Sequence, residues 1–269
     1  MLHNTRGIAL YTVNYSETSI IAKIYTELFG LQSYIVKGIR KQHTKIRPGL
    51  FQPLTLLDLT VYHKLRSTLH TIREIHIFHP YQNLTTDIRK SSVALFINEL
   101  IYKSIREEEP NQELFDFLMT TCISLDQENE NFTLFPLLFT IRLSRLLGIY
   151  PHVDDLPSNR IFNLQEGIFQ SHQPDHRYFL DPPLSLIFKN LISEEDSKEF
   201  YPLEAESLKS EANSQQPVAR SETRVASSEQ RAAITFRNEL LEHMLIYYKL
   251  HLPDFREINS HRILHTVLA

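Results

Sequence analysis

The sequence predicts an α+β chain, a small closed barrel of five strands followed by a mainly helical remainder. Three observations carry this. Short, β-rich segments crowd residues 5–80, and after Pro80 the apolar spacing changes from strand-like to helix-like. The charge divides at the same place. The first eighty residues hold ten Lys or Arg against four Asp or Glu, and the remaining 189 hold eighteen against twenty-eight.

Residues 7–15, 20–26, 33–38, 54–62 and 69–78 are each short and rich in Ile, Val, Tyr, Thr and Leu, the residues that suit a pleated surface. Gly30, in Leu-Phe-Gly-Leu, marks a tight turn between the second and third. The fourth alternates Leu54, Leu56, Asp58 with Thr55, Leu57, Leu59, Val61, so one face is predominantly buried. Five strands without an intervening helix suggest a barrel, and the oligonucleotide/oligosaccharide-binding fold is the familiar five-stranded solution. The domain expected over 1–80 then carries residues 37–53 as a long connection on its rim.

That connection is the most informative stretch of the chain. Residues 37–47, Lys-Gly-Ile-Arg-Lys-Gln-His-Thr-Lys-Ile-Arg, hold five cations and no acid in a chain of net charge −4. A local basic patch on an acidic molecule points to a polyanion, with nucleic acid the first candidate. The plainer alternative is a solvated hairpin tip. Lys37, Arg40, Lys41, Lys45 and Arg47 are the candidate phosphate contacts, with Arg6, Lys64 and Arg66 as extensions of the patch. Tyr34 and Phe51 flank it and are candidates for stacking bases; the competing assignment for both rings is barrel core.

Beyond Pro80 the expected domain runs over 81–269. Val93, Phe96, Ile97, Leu100, Ile101 and Ile105 form one helical stripe, ended by Glu107-Glu108-Glu109-Pro110. Further helices are expected over 112–125, from about 133 to Gly148, over 234–252 and over 260–268. Apolar positions run most of the way round the third, which makes it central. Residues 150–183 show little regular period. Residues 193–230 have a polar composition, and 209–230 that of a linker with weak order.

Composition restricts function. A content of 42% apolar and 22% charged residues is that of a chain able to bury a core. A single cysteine, Cys122, allows no intramolecular disulfide and fits a reducing compartment. The opening Met-Leu-His-Asn-Thr-Arg lacks the apolar region of a secretory signal, and no apolar run is long enough for a membrane span. Cytoplasmic residence is expected. With six glycines and no Gly-x-x-x-x-Gly-Lys or Gly-x-Gly-x-x-Gly, no nucleotide cradle of the usual kinds is expected. There is no His-Glu-x-x-His and no Gly-x-Ser-x-Gly, and Cys122 lies on an apolar stripe, the place of an inert core thiol. Asp154-Asp155 is a candidate Mg²⁺ pair for a nuclease, against an ordinary solvated loop. The expectation is a protein without catalysis, cofactor or metal.

A series of short motifs resembles the bacterial recombination mediator family RecO, which acts in DNA repair. Gly-Ile-Ala-Leu-Tyr-Thr-Val-Asn-Tyr-Ser-Glu-Thr-Ser-Ile-Ile (7–21) is similar to the family's first two strands and their turn. Tyr-Thr-Glu-Leu-Phe-Gly-Leu (25–31), Lys-Gly-Ile-Arg-Lys (37–41) and Leu-Phe-Gln-Pro-Leu-Thr (50–55) follow in the family's order. Asn-Glu-Leu (98–100) and Glu-Glu-Glu-Pro-Asn-Gln-Glu-Leu-Phe (107–115) continue it, so order and spacing hold over 1–151. Fainter likeness returns at 247–252 and 258–260. The resemblance implies a non-enzymatic protein that binds single- and double-stranded DNA, anneals complementary strands and works with RecR. It also implies contact with the C-terminal tail of single-stranded DNA-binding protein (SSB), and help in loading the RecA recombinase. Association with the nucleoid goes with that work. Arg142 and Arg145, one turn apart on an otherwise apolar helix, are the candidates for the acidic tail; the alternative is a solvated or salt-bridged pair. A barrel engaging RNA, or a pure protein scaffold, is the rival reading.

One departure stands out. Many members of that family follow Gly-Leu-x-Pro with four cysteines that hold zinc. Here Gly148-Ile149-Tyr150-Pro151 is followed by none, and a tetrathiolate site is impossible. His152, His172 and His176 remain, near Asp154, Asp155 and Asp175, but Pro174 breaks the helical spacing of His172 and His176. Residues 150–183 are expected to form a metal-free finger shaped by Tyr150, Phe162, Phe169, Tyr178 and Phe179.

Overall fold

The β-rich segments become strands because each turns one apolar row toward a shared interior. The computed structural model describes residues 1–39, 46–64, 67–106, 108–128, 133–153, 158, 160–197 and 222–268. Strands β1 (Leu2–Asn14), β2 (Ile20–Thr26), β3 (Gly30–Val36), β4 (Leu56–Tyr62) and β5 (His70–Ile77) close in the order β1-β2-β3-β5-β4. All pairs are antiparallel except β3 with β5, which run parallel through Tyr34↔His70 and Ile35↔Thr71. This is the five-stranded oligonucleotide/oligosaccharide-binding barrel.

Ala22 and Ile24 of β2, Tyr34 and Val36 of β3, and Leu57, Leu59 and Val61 of β4 fill the interior at the period of two that strands impose. On β5 the inward residues are Ile72 and Ile75, three apart. A register shift opposite Thr60/Val61 leaves Arg73 unpaired, and this bulge returns Ile75 to the inside. Gly7 lies where β1 pairs with both neighbours, and a Cβ there would sit 2.8 Å from Ile24 and 2.9 Å from Leu59. The interior is therefore full at that point.

Two compact units divide the chain, Met1–Glu128 and Asn129–Ala269. In the first, α1 (Ile88–Ser104) and α2 (Gln112–Gln127) pack with the barrel. Tyr102 lies 4.2 Å from Tyr11 between ring centroids, and Phe115 stacks on Tyr25 at 6.3 Å. Asp87 and Asn111 cap the two helices by accepting from the N–H of Arg89 and Leu114. Residue 80 thus marks a change from strands to helices, whereas the compact unit extends to residue 128.

The crossover from β5 to α1 is fixed by one carboxylate. Asp126, 2% exposed, accepts from the backbone N–H groups of Gln82, Asn83 and Leu84 at 2.7–3.2 Å, and Lys90 Nζ donates to its carbonyl at 2.7 Å. Next to it, Tyr81 donates its hydroxyl to the Leu54 carbonyl at 2.6 Å. Cys122 is fully buried, and burial pushes its thiol up to about 12, so it is inert as the apolar stripe implied.

The second unit contains α3 (Phe135–Leu146), a sheet of β6 (Ile161–Asn163), β7 (Ile168–Gln170) and β8 (Phe179–Leu180), then α4 (Pro182–Ser197), α5 (Glu222–His251) and α6 (Ser260–Val267). Helix α3 is buried on most of its surface, as its composition required. Tyr248 of α5 donates to the Thr140 carbonyl of α3 at 2.7 Å. The finger is a small three-stranded sheet ordered β7-β6-β8, folded on rings. Phe162 meets Phe169 at 4.8 Å, Phe188 of α4 at 4.9 Å and Tyr247 of α5 at 5.9 Å. Of the expected aromatics, Phe162 and Phe169 do this packing, while Tyr150 lies under Arg145 and Tyr178 beside Arg177.

Two segments differ from expectation. Helix α4 occupies residues read as irregular or left unassigned, and α5 begins at Glu222, so residues 222–230 of the polar stretch are helix. The rest of that stretch, 198–221, lies outside the described residues. No described helix is long and apolar enough to cross a membrane.

Asp126→Asn leaves one acceptor oxygen for three donors and is expected to destabilise the protein by about 2–4 kcal/mol in chemical denaturation. Burial alone would raise the Asp126 carboxyl, but the three N–H donors and Lys90 together hold it below the ordinary value of about 3.9. A depressed carboxylate stabilises the fold fully above its unfolded pKa and loses that contribution as pH falls through the folded one. Acid unfolding below about pH 4 should therefore be shallower in Asp126→Asn than in wild type. At Gly167, φ is +70° and a Cβ would lie 2.8 Å from the Tyr247 hydroxyl. Gly167→Ala is expected to cost about 1–3 kcal/mol in the same measurement.

Candidate nucleic-acid interface

The basic connection leaves β3 at Lys37 and returns through a 3-10 turn, Pro48–Phe51. Gly38 has φ +71°, the left-handed turn that lets the chain leave the strand sharply. Ile39 is 3% exposed and Phe51 4%, both in the barrel core, with Ile46 and Leu50 packed against it. Apolar side chains thus anchor both roots of the connection, while Lys37, two residues before Ile39, and Arg47, next to Ile46, are exposed. Neither forms an ion pair with a carboxylate among the described residues. Arg40, Lys41 and Lys45 lie outside the described residues, as does Arg66.

Tyr34 and Phe51 do not offer ring faces to a ligand. Tyr34 is fully buried and Phe51 nearly so, both inside the barrel, because β3 turns Tyr34 inward with Val36 and the 3-10 turn points Phe51 into the core. Base stacking by these two is replaced by the core assignment. Burial, opposed by a smaller lowering from Thr26, pushes the Tyr34 hydroxyl well above the ordinary tyrosine range.

Arg6 also leaves the patch. Its Nε and Nη2 donate to the two carboxylate oxygens of Glu27 at 2.9 and 2.6 Å, and Asp116 lies 3.9 Å away. The guanidinium lies over Phe115 at 5.4 Å. The hydrogen bond from Arg6 holds the Glu27 carboxyl below its usual range. This cation is neutralised within the fold, and joins β1 to the turn after β2.

Lys64 is exposed, but at a different end of the barrel. It follows His63, whose ring stacks on Phe29 at 4.0 Å and 4°, and Phe29 immediately precedes β3. Lys37 immediately follows β3, so the seven-residue strand, roughly 20 Å long, separates the two ends. His63 stacks in turn on His70 at 4.2 Å and 19°, with His3 edge-on to Phe29 at 5.3 Å. Burial, then the neighbouring imidazole, lowers the pKa of both His63 and His70. No motif announced this column. Its three rings are thirty-four and seven residues apart in sequence, and pairing between distant strands brings them together.

In the second unit Arg142 is half-buried and Arg145 exposed, on the one face of α3 that is not apolar. The Arg145 guanidinium lies 4.2 Å from the Tyr150 ring centroid. His152 is joined to the sheet through its backbone, donating its N–H to the Gly167 carbonyl at 2.8 Å. His176 accepts from the Tyr178 N–H through Nδ1, and the His172 carbonyl accepts from Gln170. Among the described residues no three His, Cys, Asp or Glu side chains come together as metal ligands do. Asp154 and Asp155 lie outside those residues.

Comparison with known proteins matches this architecture along its length. The family model "Recombination protein O N terminal" covers residues 1–81, and "Recombination protein O C terminal" covers 85–159. A DNA repair protein RecO of Azobacteroides pseudotrichonymphae is 32% identical over 99% of both chains. One from Phocaeicola vulgatus is 33% identical over 97% of this chain and 96% of its own. One from Christiangramia forsetii is 28% identical over the whole of both. A closed five-stranded barrel with a basic β3–β4 connection, matched end to end by these relatives, places the chain in the RecO family of DNA repair proteins.

Proposed function

We propose that this chain is a non-enzymatic recombination mediator that binds DNA through the connection between β3 and β4. The observation that carries the reading is the pair of exposed cations, Lys37 and Arg47, without an ion pair among the described residues, at the anchored roots of a five-cation, acid-free segment. Fixed roots hold the charge at the barrel surface. Phosphate contacts of this kind position a strand without reading its sequence, which suits a protein acting on single- and double-stranded DNA alike. Buried rings inside the barrel leave charge, not stacking by Tyr34 or Phe51, as the means of binding.

In this reading the protein anneals complementary strands, works with RecR in the cytoplasm at the nucleoid, and helps load RecA onto SSB-coated strands. Arg142 and Arg145 on α3 are the contacts for the acidic SSB tail, Arg145 with its guanidinium oriented by Tyr150. No step requires bond-making by this chain. An RNA-binding barrel would share the phosphate chemistry, and matched DNA and RNA oligonucleotides separate the two.

Fluorescence anisotropy of a labelled single strand across a salt series is expected to give a log–log slope near −3.5, for about five neutralised phosphates. Neutralising Lys37, Arg40 and Lys41 together should make the slope shallower by about 2. Arg6→Ala should leave it unchanged, because that charge is already held by Glu27. No binding at low salt by folded protein would overturn the reading in favour of a scaffold. For the tail, Arg142→Ala is expected to weaken binding of an acidic C-terminal peptide about tenfold, a loss of roughly 1.4 kcal/mol. Unchanged affinity would remove Arg142 from that site.

A further inference from the structure

The far end of the barrel has a chemistry that the basic connection does not use. Phe29, His63 and His70 form a column of three nearly parallel rings, with His3 against its edge. Among the described residues, the charged or titratable neighbours of this column come from four segments. From β1 come His3 and the Met1 amino group, which donates to the His63 carbonyl at 2.9 Å. From the β4–β5 connection comes exposed Lys64, whose backbone N–H points to His70 Nδ1 at 3.4 Å. From β3 comes Tyr34, 5.9 Å from His70 between ring centroids. Glu108, ahead of α2, acts on His70 through its charge alone. None of these gives either imidazole a carboxylate partner by hydrogen bond.

Two parallel imidazoles this close repel if both are charged, and the fixed charges nearest His63 are positive. The empty column is therefore neutral near pH 7. An arriving anion reverses the balance, since it supplies the counter-charge that an imidazolium lacks here. Tyr62, the last residue of β4 and 45% exposed, presents an open ring at the same end.

We propose that this end of the barrel is a second site for the phosphodiester backbone of a nucleic acid, at which His63 takes up a proton as the strand binds. Lys64 supplies the permanent charge and the imidazole the conditional one. The proton comes from solvent onto the free ring nitrogen of His63, and the phosphodiester keeps its charge. The proposal rests on the nucleic-acid reading above and adds to it a dependence on pH.

The test is titration calorimetry of full-length protein with an oligothymidine, in two buffers of unlike ionisation enthalpy at pH 7, with affinities measured from pH 8 to pH 6. Thymidine has no group that takes up a proton in this range, so uptake reports on the protein. Wild type is expected to take up protons on binding and to gain affinity by up to about tenfold per pH unit as pH falls. His63→Phe keeps a ring in the column and removes its titration. It should match wild-type affinity at pH 8 and lose most of the uptake and the pH dependence. Lys64→Ala should make the salt slope shallower by about 0.7. Equal proton uptake in wild type and His63→Phe would overturn the proposal, as would an unchanged slope in Lys64→Ala. Oligothymidine binding by wild type without proton uptake would overturn it and leave the mediator reading standing. No binding at all would overturn both.

Discussion

The parallel pairing of β3 with β5 is the constraint on which the first unit depends. Two residue pairs, Tyr34↔His70 and Ile35↔Thr71, turn a five-stranded sheet into a barrel. Because the closure is parallel and β4 lies between β5 and β1, the chain must travel a long way between β3 and β4. No hairpin can make that journey. The length of the basic connection is thus a consequence of topology, and the chain uses it twice. Ile39 and Phe51 enter the barrel core with Ile46 packed against it, and Lys37 and Arg47 stay exposed. The same closure brings His70 to the start of β5 beside Tyr34, which places it under His63.

Charge in this protein is sorted by whether the fold has already spent it. Arg6 is held by Glu27, Lys103 by Glu99, and Lys90 by the carbonyl of Asp126. These cations hold elements together and are poor ligands for anything else. Lys37, Arg47 and Lys64 are exposed and have no such partners among the described residues, and Lys37 and Lys64 lie at opposite ends of β3. Counting basic residues along the sequence cannot separate these two groups, although they appear equally cationic there.

Much of the architecture was legible because strands and helices advertise themselves by period. Leu57, Leu59 and Val61 alternate cleanly, and β2 begins and ends where its composition does. The helix over 112–127 is signalled by its own stripe. Helix α4 escaped because its opening Pro182-Pro183 suggests a loop. Those prolines occupy the first turn, where missing N–H groups cost nothing, and Asp181 accepts from Leu184 ahead of Leu184, Phe188, Leu191 and Ile192. The site was legible only in part. The run of cations at 37–47 is local and visible, whereas the direction of Tyr34 depends on strand parity and the fate of Arg6 on a partner twenty-one residues away. The histidine column had no local signature, because long-range pairing alone assembles it.

The ring-packed finger of the second unit has a consequence of a different kind. A lobe held by thiolates and zinc is regulated from outside, since metal supply and oxidants both act on it. The chain has no cysteine in this unit, and Phe162 stands at the meeting point of Phe169, Phe188 and Tyr247. Its stability is therefore a matter of hydration, with the heat-capacity signature of apolar burial, strongest at moderate temperature and declining toward both cold and heat. A domain built this way answers to the thermometer and not to the redox state of the cell.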